Sequence, residues 1–356
     1  MRIASVARAL PQHRYDQADI CKSLEQIWAD RPSAASRLGT LLENTRVLTR
    51  HLVMPLESYL EPRTFGQFND LWIEHAQDLG QSALQSALDQ AGLAPTDIDA
   101  VFSVSVTGVC SPSLEVRLAN RMGMRSNIKR TPIFGLGCVA GAAGIARATD
   151  YVKAYPDQVA ALVSVELCSL TFQRDDTSVA NLISSGLFGD GAAAVIVVGE
   201  ERAKKMGLEG GLQVIDTRSV LYPDTEDVMG WTISERGFDI VLSPSVPAIA
   251  REMLAPGVDT FLTDHDLSRS DISTWVCHPG GPKVLSAMQE GLELTDHDVR
   301  FAWKVLAETG NLSSTSVLLA LDEVLQEGSP GTGSRGMLLA MGPAFCSEYV
   351  LFEWRD

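Results

Sequence analysis

Short runs of β-branched and small apolar residues alternate along this chain with longer stretches whose apolar positions recur every three or four residues. The runs DAVFSVSVT (Asp99 to Thr107), VAALVSVELCS (Val159 to Ser169) and AAAVIVVG (Ala192 to Gly199) are bounded by turn residues, the pattern of buried strands. HAQDLGQSALQSALDQAGL (His75 to Leu93) has the helical spacing and closes on Gly92, a residue suited to the left-handed conformation that ends helices. Strand and helix signals in alternation predict an α/β fold with a largely parallel sheet. EGSPGTGSRG (Glu327 to Gly336) reads as a surface loop ahead of the last strands.

The pattern hints at a duplication. In the first half, TPIFGLG reads as a buried strand that turns sharply at Cys138 into the small-residue helix CVAGAAGIARATDYV. In the second half, WVCHPGG is followed by ETGNLSSTSVLLALDEVL, where Asn311 stands at an equivalent hand-over from a glycine turn to an apolar helix. The boundary is expected near residues 200–211, dividing the chain into 1–205 and 206–356.

Composition narrows the function classes. The chain has 356 residues, 45% hydrophobic and 21% charged, with no apolar run long enough to span a bilayer. Its start, MRIASVARALPQHRY, lacks the apolar core of a signal peptide, so a cytoplasmic protein is expected. A formal charge of −16 argues against nucleic acid or anionic membrane as partner. The six cysteines show no CxxC spacing, which suits reduced thiols better than a metal site or a disulfide scaffold.

Cys138 is the first candidate for chemistry. A sulfur at a helix start faces unsatisfied backbone N–H groups and the positive end of the dipole, which favour a thiolate and predict a lowered pKa. The alternative is a buried structural cysteine, since free Cys is among the most buried residue types. Of the six histidines, His278 in WVCHPGG sits at a predicted strand end, where functional side chains are displayed. His13, His51, His75, His265 and His297 lie in polar or helical surroundings. Asn311 either caps the helix that follows it or directs its amide at an oxyanion beside His278.

Five stretches carry a family resemblance: GLGCVAGAAG around Cys138, SSGLFGDGAAAVIV (Ser184 to Val197), CHPGGPKVL (Cys277 to Leu285), ETGNLSSTSVL (Glu308 to Leu318) and MGPAF (Met341 to Phe345). In order and without large gaps, from about Val101 to the C-terminus, they resemble the type III polyketide synthases, the chalcone synthase-like family. The resemblance implies a thiolase fold of two pseudo-duplicated halves in αβαβα layers, and a homodimer with the loop of Cys110, Ser111 and Pro112 reaching across it. It implies Cys138 as nucleophile, with His278 and Asn311 binding the thioester oxygen while malonyl-CoA loses carbon dioxide. Coenzyme A thioesters are then substrates, acyl-CoA and malonyl-CoA, with no cofactor held permanently and no metal.

Phe188 in GLFGDG matches the family's gatekeeping aromatic, and Gly342 with Pro343 the loop that shapes the cavity. Cys110, Cys168 and Ser313 fall near cavity-lining positions, and Trp231 in VMGWTISERGF replaces a small residue, as in many bacterial members. Arg46 and Arg50 in NTRVLTRHL, with Lys283, are candidates for the phosphates of coenzyme A. The bacterial pattern implies an aliphatic starter and an alkylpyrone or alkylresorcinol product; the runner-up is a malonyl-primed tetrahydroxynaphthalene-type synthase. A β-ketoacyl-carrier-protein synthase III ranks lower, because that family typically places Gln-Ala-Asn after its histidine where this chain has Pro279-Gly280-Gly281. A Cys-His hydrolase leaves Asn311 unexplained, and a silent acyl-binding subunit leaves all three residues unexplained.

Overall fold

The computed structural model describes residues 1–208 and 210–355. Its strands are β1 Arg2–Ala9, β2 His13–Asp16, β3 Thr49–Leu52, β4 Ala100–Val104, β5 Lys129–Ile133, β6 Val159–Leu167 and β7 Asp190–Val198. They continue with β8 Gly211–Leu221, β9 Met229–Ser234, β10 Gly237–Leu242, β11 Ile272–Cys277, β12 Arg335–Gly342 and β13 Cys346–Arg355. The helices of the first part are α1 Gln17–Ile27, α2 Pro32–Glu43, α3 Phe65–Ala91, α4 Leu114–Met122, α5 Ala140–Ala154, α6 Val179–Leu187 and α7 Glu200–Met206. Those of the second are α8 Val246–Thr263, α9 Pro282–Leu292, α10 Arg300–Thr309 and α11 Ser316–Glu327.

Nine strands form one mixed sheet in the order β11-β12-β13-β8-β1-β7-β6-β4-β5. Reading inward from either end shows the repeat. β4 lies parallel to β6, β6 antiparallel to β7, and β7 antiparallel to β1. β11 lies parallel to β12, β12 antiparallel to β13, and β13 antiparallel to β8. β1 and β8 join the two wings through a short antiparallel contact at Arg2 and Ile3. Helix α5 precedes β6 as α11 precedes β12.

Side-chain alternation along the strands places these two helices in the middle. On β6, Val159, Ala161, Val163, Val165 and Leu167 face outward to the cluster built on α3, while Ala160 and Leu162 face inward. On β12, Met337, Leu339 and Met341 pack toward α8 and α9, and Leu338 and Ala340 turn inward. Both inner faces meet on the same core, which includes Ala142 and Ile145 of α5 and Val317 and Leu321 of α11. The layers are therefore helix, sheet wing, α5 with α11, sheet wing, helix, as the resemblance implies.

Local sequence explains the elements. α3 starts at a capping box between Thr64 and Gln67 and ends at Gly92 with φ +66°. α5 is wedged into the core by missing side chains: a Cβ on Gly141 would stand 2.2 Å from the Ser314 carbonyl oxygen, and one on Gly144 2.4 Å from Leu162. Two expectations are corrected. The large sheet is mixed rather than largely parallel, because β7, β1, β8 and β13 join it through antiparallel pairings. TPI of TPIFGLG belongs to β5, which is exposed rather than buried, because it is the outer strand of the sheet and carries Pro132 where no ladder donor is needed.

Candidate active site

Two turns and one strand end converge between the wings. Gly137–Val139 forms a single 3₁₀ turn into α5 and carries Cys138. Ser313–Thr315 forms its counterpart into α11, two residues after Asn311. His278 follows the last residue of β11 and is held by its backbone N–H, which donates to the Leu339 carbonyl of β12 at 3.0 Å.

Asn311 ties the three together. Its Oδ1 accepts from the Ser313 N–H at 2.7 Å, and its Nδ2 donates to the Gly280 carbonyl, two residues beyond His278, at 3.0 Å. The same amide hydrogen-bonds toward the Cys138 sulfur. Ser313 adopts φ +47°, a left-handed backbone that carries its hydroxyl to 3.7 Å from Cys138 Sγ. Asn311 is no helix cap: Thr315 occupies that position, and Asn311 instead pairs with Phe188 through an isolated parallel bridge.

Electrostatics corrects the lowered cysteine pKa expected above. Burial pushes the Cys138 thiol up to about 11, against the smaller lowering effects of the Ser313 and Asn311 hydrogen bonds. Burial likewise pushes the His278 imidazole down to about 3. His278 is 2% exposed and neither ring nitrogen has a hydrogen-bond partner. Taken singly, each group prefers to be neutral.

A cavity opens behind Phe188, lined by Phe188, Cys168, Trp231, Phe238, Arg50 and, on its apolar side, Leu24 of α1. Cys168 lines the cavity and interacts electrostatically with both Cys138 and Arg50, whereas Cys138, His278 and Asn311 themselves do not line it. Trp231 stands on β9 with its ring centroid 6.0 Å from that of Phe238 and narrows this side.

Other expected site residues fall elsewhere. Arg50 is corrected most plainly: at 2% exposure it cannot meet a phosphate in solvent, because its Nη1 donates to the Phe188 carbonyl at 2.6 Å and its Nε to Gln17 Oε1 at 3.2 Å. Gly342 and Pro343 do not line the cavity. Pro343 closes over the turn that carries Cys138, 2.6 Å from where a Gly137 Cβ would lie, and a Cβ on Gly342 would stand 2.7 Å from the Leu136 carbonyl. Cys110 lines a separate pocket with Trp72, Val104 and Phe134. Arg46 and Lys283 are exposed, and Arg46 lies 4.8 Å over the Trp303 ring.

The sequence reading missed Glu166. This fully buried carboxylate accepts from Thr107 Oγ1 at 2.8 Å and the Val106 N–H at 3.1 Å, and Ser314 donates to its other oxygen. It also raises the Cys138 pKa. The signal was present: an acidic residue inside the otherwise apolar strand VAALVSVEL needs partners.

Comparison with known proteins fits this architecture. The family described as chalcone and stilbene synthases matches twice, its N-terminal domain over residues 2–201 and its C-terminal domain over residues 213–354. A 1,3,6,8-tetrahydroxynaphthalene synthase of Streptomyces peucetius subsp. caesius is 47% identical over 352 residues, covering 99% of this chain and 93% of the relative. Another of that name, from Streptomyces coelicolor, is 37% identical over 347 residues, 98% of this chain and 90% of the relative. The crystal structure of 1,3,6,8-tetrahydroxynaphthalene synthase from Streptomyces coelicolor A3(2), a bacterial type III polyketide synthase, superposes with a TM-score of 0.93 at 35% identity, over 100% of both chains.

Proposed function

Because this chain belongs to the chalcone and stilbene synthase family of type III polyketide synthases, acyltransferases that condense acyl units with loss of carbon dioxide, we propose that it builds 1,3,6,8-tetrahydroxynaphthalene from malonyl-CoA alone. The observation that carries this reading is the 47% identity, over 99% of the chain, to a synthase of that product. The carbon balance closes, since a malonyl starter and four two-carbon extensions leave the ten ring carbons once the starter carboxylate is also lost as carbon dioxide.

The residues divide the work. The Cys138 proton passes to His278 as Sγ attacks the starter thioester, and coenzyme A leaves with that proton as its thiol. The next malonyl-CoA loses carbon dioxide, and the electron pair of the broken bond moves onto the thioester oxygen as an enolate. His278 and Nδ2 of Asn311 donate to that oxygen, a role supported by the free ring nitrogens and by the anchored amide. The enolate carbon attacks the Cys138-bound acyl carbonyl and expels the thiolate. The lengthened chain, now a thioester of coenzyme A, returns to Cys138 by attack of the sulfur on that thioester, and coenzyme A leaves.

Arg46 and Lys283, both exposed, are proposed to receive the phosphates of coenzyme A. A homodimer is supported by the uncovered edge strand β5 with Phe134 47% and Val109 42% exposed near the Cys110 loop. No described helix is long and apolar enough to cross a membrane.

One observation favours a second reading. Ile20, Leu24 and Ile27 give the cavity an apolar wall that suits the aliphatic starter of an alkylpyrone or alkylresorcinol synthase. Purified enzyme given malonyl-CoA alone is expected to release the naphthol, and Cys138→Ala to release none. Products only when a fatty acyl-CoA is added would establish the second reading instead.

A further inference from the structure

We infer that Arg50 is an anion anchor, and that the cavity behind Phe188 receives acyl chains whose far end carries a carboxylate. The inference rests on the malonyl-primed reading, because a malonyl starter is what leaves a carboxylate at that end of the chain.

Arg50 is the only charged side chain lining the cavity among the described residues. Two of its nitrogens are spent on Phe188 and Gln17, whereas Nη2 is buried and has no partner. Asp190 acts on the charge of Arg50 from nearby, but the free donor of the guanidinium, buried in the wall of the cavity, is the group that an incoming anion would satisfy. Neighbouring groups do not satisfy it. Asp190 accepts from the Val53 N–H and the Ser169 N–H, each at 2.8 Å, and from Ser169 Oγ at 2.5 Å, and makes no direct ion pair with Arg50. Tyr59 hydrogen-bonds to Ser169, and the hydroxyls of Thr171, Ser184 and Ser185 donate to backbone carbonyls.

The position suits the end of a chain rather than its thioester. Phe188 bridges to Asn311, and its carbonyl rests on Arg50. An acyl group on Cys138 that extends past Phe188 therefore arrives with its far end at the guanidinium. Phosphates are excluded by burial, whereas a carboxylate on the chain is carried in. Burial lowers Arg50 to about 10, so it stays charged at neutral pH, and it raises Asp190 to about 6, so Asp190 can take up a proton when a second carboxylate arrives.

The test uses starters matched in length: glutaryl-CoA, its monomethyl ester and hexanoyl-CoA. Loading on Cys138 and condensation with malonyl-CoA are read by mass spectrometry. Wild type is expected to prefer the free acid over its ester by about tenfold or more in kcat/KM, because a site built to pair a charge rejects the analogue lacking it. Arg50→Met should erase that ratio whatever it does to overall rate, and Arg50→Lys should keep part of it. Should Arg50→Met fail to fold, the wild-type acid-to-ester ratio and Arg50→Lys decide. Equal use of acid and ester by wild type, uptake of neither, or an unchanged ratio in Arg50→Met would overturn the anchor. A lack of naphthol from malonyl-CoA alone would remove the proposed product, while the acid-to-ester ratio still reports on Arg50.

Discussion

The two central helices occupy equivalent places in the repeat and are built by opposite means. α5 enters the core by shedding side chains, with Gly141 and Gly144 in contact with Ser314 and Leu162. α11 enters behind a turn of hydroxyls: Ser164 pairs with Ser314 at 2.9 Å and Thr315 at 2.7 Å, and Ser314 donates to Glu166. The first half thus presents one sulfur with little around it to misdirect attack. The second presents an amide and hydroxyls held in a fixed polar network, since buried polar groups must be paired and pairing orients them. On the proposed roles, a duplicated scaffold has separated nucleophile from oxyanion donors.

Removing the second half's contribution should break this division most severely. Asn311→Ala is expected to lower condensation about 10²- to 10³-fold, the usual cost of a lost oxyanion donor. Loading of Cys138 by a starter should survive, so single-turnover loading against steady-state condensation checks it. Equal loss in both steps would mean that Asn311 serves the nucleophile instead.

Filling the first half is expected to cost less. Gly141→Ala forces a methyl against the Ser314 carbonyl, 2.2 Å from the ideal Cβ, and should lower stability by about 1–3 kcal/mol in urea unfolding. Because Ser314 adjoins Ser313, condensation should fall with it. An unchanged midpoint would show that α5 and α11 can separate freely.

The smallest effect sharpens the link between halves. Burial raises Cys138, and the proposed transfer of its proton to His278 would oppose that rise, so His278→Gln should move the pH profile of iodoacetamide alkylation upward by about one unit or more. The thiolate fraction at a given pH below the new midpoint then falls. Superimposable profiles for wild type and variant would mean that His278 does not share charge with Cys138.

Residue types in short turns announced much of this site. Cys138 before a run of Gly and Ala, His278 at the end of an apolar run, and Asn311 after Gly310 were all visible as local patterns, and the structure brings them together. Arg50 was not visible in this way. It reads as one of several basic residues in NTRVLTRHL, and only contacts with Phe188, 138 positions later, and with Gln17 on α1 bury it. Pro343 suggested a cavity wall, and the packing of the β12–β13 turn on Gly137 made it a cover for the turn that carries Cys138.

By itself the sequence determined the alternation of strand and helix, the repeat and the three candidate side chains, because periodicity, turn chemistry and residue type are local properties. Only the tertiary structure decided which charges lie inside, which strand forms an edge, and in which direction burial shifts the sulfur. Those quantities depend on how much water and which distant partners surround a group, and water is excluded by the whole fold rather than by neighbours in the chain.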